Sequence, residues 1–164
     1  MTVIFPHPHD PHLAPYLEPF GRMMFGYGRA MVALREVAQS VLGTEEKAVK
    51  FMRGVDSRTM VEKFRELCEP SFPPDRLNEL LGCCATLAAL HRRRNRIVHG
   101  EWWFDVLDDG GLLVRDWDRE IGGPVHDETV TPESLDQLAN EFSEVSSDID
   151  MFSYMPGADS ERTD

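Results

Sequence analysis

The chain has 164 residues, 41% of them hydrophobic and 28% charged, with a formal net charge of −12. That balance describes an ordinary soluble globule long enough for one domain with a full core. No apolar run approaches the roughly 20 residues that a bilayer span needs, and residues 1–10 lack the basic-then-apolar pattern of a signal peptide, so the expectation is a cytoplasmic protein with no membrane partner. The three cysteines are odd in number, with Cys83 and Cys84 adjacent. They read as reduced core thiols, and no zinc-type spacing exists, so neither metal nor cofactor is expected.

The net acidity argues against nucleic acid when taken alone, but it is unevenly distributed. Up to Gly100 there are 14 Lys and Arg against 11 Asp and Glu; beyond it there are 3 against 18. A basic cluster therefore sits just before an acidic final third. That third also reads simply as a solubilising surface.

Residues 1–15 carry Pro6, Pro8, Pro11 and Pro15, which predicts an extended arm with neither regular helix nor central strand. His7, His9 and His12 lie in it; a flexible arm does not preorganise a metal site, and no role is assigned to them. From there one domain is expected over residues 16–156, with a disordered polar tail at 157–164. Leu17, Phe20, Met24, Tyr27, Met31, Leu34, Ala38 and Val41 alternate spacings of three and four, the stripe of a long helix ended by Gly43. Gly21, Gly26 and Gly28 weaken that helix by roughly 1 kcal/mol each relative to alanine. Without a preceding strand or a Gly-Lys-Ser/Thr ending they make no phosphate loop, and close helix–helix approach is their expected use.

Thr44 announces a short helix stopping near Gly54, and Asp56 or Ser57 caps another that ends at Pro70. Pro73 and Pro74 open the next helix, with Leu77, Leu80, Leu81, Cys84, Leu87, Ala88, His91, Arg94 and Val98 along one side. After Gly100 the period becomes two. A three-stranded antiparallel meander is expected over about 102–130, with turns at residues 108–111 and 122–123. Thr131-Pro132-Glu133 starts a last helix whose stripe is Leu135, Leu138, Phe142, Val145, Ile149 and Phe152. The expected fold class is mainly α: a helical bundle, its consecutive helices antiparallel, with a small β-meander inserted before the last helix.

The chemistry concentrates in His91-Arg92-Arg93-Arg94-Asn95-Arg96-Ile97-Val98-His99-Gly100, at the end of the fourth predicted helix. Histidine, with an ordinary pKa near 6.5, suits a base that takes a proton from a ribose 2'-hydroxyl. The planar fork of arginine suits charge developing on a phosphate. Arg94, Asn95 and His99 are the candidate catalytic residues; His91, Arg92, Arg96 and Trp102 are candidates for substrate binding, Trp102 by stacking on a base or else by packing in its strand. Asn95 and His99 are four apart and share a helix face, so Asn95 could orient the imidazole. Arg94 and His99 are five apart, about 140° around a regular helix and roughly 7.5 Å along it, so they diverge unless the helix unwinds or two subunits share a cleft. At least one of Arg92, Arg93 and Arg96 is expected to pair with the acidic segment. Arg22, Arg29 and Arg35 could line the cleft or simply be exposed. The bland reading of the cluster is a solvated helix end whose cations favour the helix dipole.

Arg94-Asn95, three residues, then His99 resembles the signature of the HEPN superfamily: an arginine, a polar residue, and a histidine after a short spacer, at the end of a long helix of an α bundle. The resemblance covers roughly residues 17–100 and the last helix; the meander is outside it. It implies a homodimer with paired motifs in one cleft, often with metal-independent RNA cleavage leaving 2',3'-cyclic phosphate and 5'-hydroxyl ends. It also implies a role as a toxin or defence effector, with an antitoxin protein as a possible partner. Some members have lost activity, so the alternative is a non-catalytic dimeric module that binds a nucleotide, RNA or a protein.

Overall fold

The computed structural model describes residues 3–4, 10–105, 112–118 and 123–154. It contains β1 (Val3–Ile4), a single 3-10 turn (Pro11–Leu13), α1 (Ala14–Leu42), α2 (Glu45–Met52), α3 (Met60–Cys68), α4 (Pro74–His99), β2 (Glu101–Asp105), β3 (Leu112–Asp118), β4 (Gly123–Val130) and α5 (Pro132–Ser153). The fold is mainly α with a small antiparallel sheet before the last helix. Among the described residues no helix is long and apolar enough to cross a membrane. The turns expected at 108–111 and 122, His7 and His9, and the tail at 157–164 lie outside the described residues.

Helix ends follow their sequence signals. Thr44 accepts from the Lys47 amide at the start of α2. α3 starts later than expected: Thr59, not Asp56 or Ser57, precedes it, and the Asp56 carboxylate accepts from the Arg58 and Thr59 amides in the turn before, while the Thr59 hydroxyl accepts from the Asp56 amide. Thr131 and Ser134 close a reciprocal box at α5. The N-terminal arm differs from expectation. Its last residues are already helical: Pro15 sits in the first turn of α1, where its missing N–H would have no partner anyway. β2, β3 and β4 form the expected antiparallel meander, and Val3–Ile4 pairs with β2 to add a fourth strand at its edge, in the order β1-β2-β3-β4.

The core stripes of α4 and α5 are those the periodicity marks. Leu135, Leu138, Phe142, Val145, Ile149 and Phe152 are all buried. Over the first half of α1 the core face is rotated from the expected stripe, while Leu34 and Ala38 of that stripe are fully buried as expected. Tyr16, Pro19, Met23, Gly26, Ala30, Ala33 and Val37 face the core, while Phe20, Met24, Tyr27 and Met31 are half-buried at its edge and Leu17 is exposed. The physical reason is close approach to α5 at Gly26, with Tyr27 meeting the Phe142 ring edge-on beside it. A Cβ on Gly26 would stand 3.1 Å from both the Ala139 carbonyl oxygen and Phe142 Cβ.

Not every neighbouring pair of helices is antiparallel. Arg22 meets Asp136 and Gly26 meets Ala139, so α1 and α5 run parallel. Both are antiparallel to α4, since Tyr27 meets His91 and Arg76 lies over Phe152. The sheet explains this: it lies beside the end of α4 and hands the chain to α5 at the level where α1 began. Gly100 makes the junction possible, because a Cβ there would come within 2.6 Å of Val114 Cγ1 on β3 and within 2.5 Å of the Arg96 carbonyl oxygen. Ile97, outside the stripe read from sequence, is buried in this last turn of α4.

Candidate functional site

The last two turns of α4 carry the cluster, and the structure sorts its members by their partners. Arg93 Nε donates to Glu128 Oε1 at 2.7 Å, and Arg96 Nη2 lies 3.8 Å from Glu128 Oε2. Two of the four arginines thus face one carboxylate of β4, as expected of the acidic segment, and Arg96 is tied to the sheet rather than offered to a substrate. Arg92 is exposed and its Nη1 donates to the Ser57 carbonyl at 3.2 Å, linking α4 to the turn before α3. Trp102 has its indole N–H on the Ile97 carbonyl at 2.6 Å and meets Phe20 edge-on. It caps the end of α4, which favours packing over base stacking.

Arg94 is different. It is half-buried, its Nη1 donates to Asn95 Oδ1 at 2.9 Å, and its guanidinium stands 4.6 Å from the centre of the Tyr27 ring. Among the described residues no carboxylate lies within ion-pair reach of it. Its Nε is buried without a partner. An oriented guanidinium without a counter-charge is the arrangement that binds an oxyanion.

His91 completes this group. Its Nε2 is 3.4 Å from the Tyr27 hydroxyl, its ring packs at 5.0 Å from that of Tyr27, and its Nδ1 is buried without a partner. Burial lowers its pKa first, the adjacent Arg94 charge lowers it further, and Asp56 opposes both. The imidazole is therefore neutral at pH 7. With its ring nitrogens enclosed or facing Tyr27, it positions Tyr27 beneath Arg94 better than it would touch a substrate.

His99 stands apart. It is exposed on the last turn of α4, and among the described residues no hydrogen bond joins it to Asn95. The expected role of Asn95 changes accordingly: its carbonyl oxygen holds Arg94, the neighbour one residue back, instead of the imidazole. The divergence of Arg94 and His99 persists because α4 stays helical through His99.

Tyr27 is the site residue that sequence reading left in an apolar stripe. The available signal was its hydroxyl, since a tyrosine in a packed stripe needs a partner for its O–H. Arg22 pairs with Asp136 and Glu18, and Arg35 with Glu45. Among the described residues no group of three or more His, Cys, Asp and Glu is placed to hold a metal ion. Burial pushes the Cys68 thiol up to about 12 and raises those of Cys83 and Cys84 as well. No family model, no curated protein and no solved structure matches this chain.

Proposed function

We propose that the protein is a metal-independent endoribonuclease of HEPN type, acting in the cytoplasm as a homodimer. The observation that carries the reading is Arg94: a half-buried guanidinium held by Asn95 and Tyr27, with no carboxylate partner among the described residues. Arg93 and Arg96, one residue before it and two after, are paired with Glu128, so the lack of a counter-charge belongs to this position and not to the helix end as a whole.

In the proposed reaction Arg94 binds the scissile phosphate and steadies the charge that builds on it. His99, exposed at the end of the same helix, takes the 2'-hydroxyl proton; the 2'-oxygen attacks phosphorus and the 5'-oxygen leaves with a proton from solvent. The products are a 2',3'-cyclic phosphate and a 5'-hydroxyl. Because Arg94 and His99 diverge on one helix, a site built from both draws them from two copies of the chain. A second reading follows from that divergence: a module that binds RNA or a nucleotide through Arg94 and performs no chemistry.

The test is cleavage of single-stranded and structured RNA in excess EDTA, with analysis of the product ends. Cyclic phosphate ends that persist in EDTA support the enzyme. Binding that depends on Arg94 without cleavage supports the module. Cleavage abolished by EDTA contradicts the proposed mechanism.

A further inference from the structure

The arginines of the described chain divide by what answers their charge. Arg22, Arg35, Arg76, Arg93, Arg96 and Arg115 each lie against a carboxylate. Around the turn that joins α2 to α3 the pattern changes. Arg53 and Arg58 are exposed, and among the described residues neither has a carboxylate within ion-pair reach. Arg92, exposed on α4, donates to the Ser57 carbonyl at 3.2 Å, and Lys63 Nζ donates to the Gly54 carbonyl. A carbonyl accepts a hydrogen bond but cancels no charge, so these cations remain available to anions. Asp56 is the only acid of residues 53–59, and its carboxylate is taken up inside the turn by the Arg58 and Thr59 amides and the Thr59 hydroxyl.

We infer that this turn is a track for an RNA backbone: Arg53, Arg58 and Arg92 hold, by its phosphates, the strand that leads away from the bond cleaved at His99. Helix geometry joins the parts. Arg92 and His99 are seven residues apart, so they return to within about 20° of one side of α4, roughly 10 Å apart along it. Both are exposed there. Arg92 is in turn bonded to the segment that carries Arg58 and Arg53, so the cations continue outward from His99 on one surface. At about 3.4 Å per stacked nucleotide, Arg92 meets a phosphate roughly three nucleotides from the one at His99, and the turn meets those beyond it.

The other direction offers no such support. After Gly100 the chain has 3 Lys and Arg against 18 Asp and Glu, and Arg115 among them is already paired with Asp127. Phosphates are therefore favoured on the α3 side of His99 and repelled on the sheet side, and the footprint is one-sided. Contacts to phosphates carry no base information, so the track holds strands of any sequence. This inference rests on the reading of His99 as the base of an RNA-cleaving site. It adds that the copy supplying His99 also holds the flanking strand, whichever copy supplies Arg94.

The experiment is binding of a fluorescent 2'-O-methyl RNA of about 12 nucleotides, which the blocked 2'-oxygen keeps from being cleaved, read by anisotropy from about 50 mM to 1 M salt. For a single strand each phosphate contact adds about 0.7 to the slope of log affinity against log salt, or about eightfold in affinity at 50 mM relative to 1 M. Arg53→Ala and Arg58→Ala should each make the slope shallower by about 0.7 and converge with wild type near 1 M, with unchanged far-ultraviolet circular dichroism. On unmodified RNA both should raise KM and leave kcat within a few-fold of wild type. Arg29→Ala removes the same charge from the α5 side of α1 and should leave the slope unchanged. A wild type that binds no oligomer at low salt overturns the track together with the RNA reading. Binding that is lost in Arg94→Ala but unchanged in Arg53→Ala and Arg58→Ala overturns the track alone and leaves the ribonuclease reading standing. An equal fall of the slope in Arg29→Ala traces the effect to net charge and likewise overturns the track.

Discussion

Replacing Gly26 by alanine should separate packing from helix propensity. The new Cβ would lie 3.1 Å from the Ala139 carbonyl oxygen and 3.1 Å from Phe142 Cβ, against the 3.5–4.0 Å of ordinary carbon contact. Both neighbours belong to α5, one of them backbone, so relief requires α1 and α5 to part by a few tenths of an ångström. Overpacking of this kind costs about 1–3 kcal/mol. Alanine returns about 1 kcal/mol of helix propensity, leaving a net destabilisation of about 0–2 kcal/mol. Gly21→Ala gains the same propensity and meets nothing within 4 Å. The two variants should thus differ by about 1–3 kcal/mol, with propensity cancelling. In a domain of this size that is a gap of about 2–12 °C in Tm. Thermal and urea denaturation read it directly. Equal stability of the two variants, within about 0.5 kcal/mol, would refute the claim that Gly26 sets the spacing of α1 and α5.

Trp102→Phe removes the donor to the Ile97 carbonyl and should cost about 1 kcal/mol in urea unfolding while leaving the sheet intact by circular dichroism. The folded-state pKa of His91 lies below its unfolded value, so the unfolded chain binds more protons in mild acid. The neutral ring's contribution is present above about pH 6.5 and is lost as the pH falls below it, so stability measured from pH 7.5 to 5.5 should decline less steeply in His91→Asn. A thiol reagent at pH 8 should leave Cys68 and Cys84 unmodified in the native protein and reach all three cysteines after denaturation; rapid native labelling of Cys84 would contradict its burial.

The bundle was legible because α4 and α5 carry wide apolar stripes with signalled ends. On α1 periodicity holds at Leu34 and Ala38 but misplaces the core face of the first half. Periodicity weights large apolar residues, and here the core face includes Gly26, Ala30 and Ala33, which weigh little. Leu17, the first residue of the expected stripe, faces solvent. The β1 pairing was illegible since two residues, Val3 and Ile4, carry no period. At the site, the motif located Arg94 and Asn95 but not their arrangement. Adjacent residues on a helix diverge, so a bond between the side chains of Arg94 and Asn95 is a matter of rotamers, which spacing does not specify. Glu128 was foreseeable as an acidic partner in kind, but its register opposite Arg93 depends on the fold of the sheet.

Arg94 and Arg96 are two arginines of one helix end with opposite surroundings. The decisive measurement is the single-turnover rate of RNA cleavage in EDTA for wild type, Arg94→Ala and Arg96→Ala, with circular dichroism confirming the fold of each. Removal of a cation that stabilises the transition state lowers the rate by about 10²- to 10³-fold. Arg94→Ala should show that loss, and His99→Ala a loss of about 10²- to 10⁴-fold as the general base. Arg96→Ala, which removes a pair to Glu128, should stay within a few-fold of wild type. Equal losses for Arg94→Ala and Arg96→Ala, or full activity in Arg94→Ala, would contradict the assignment of the site.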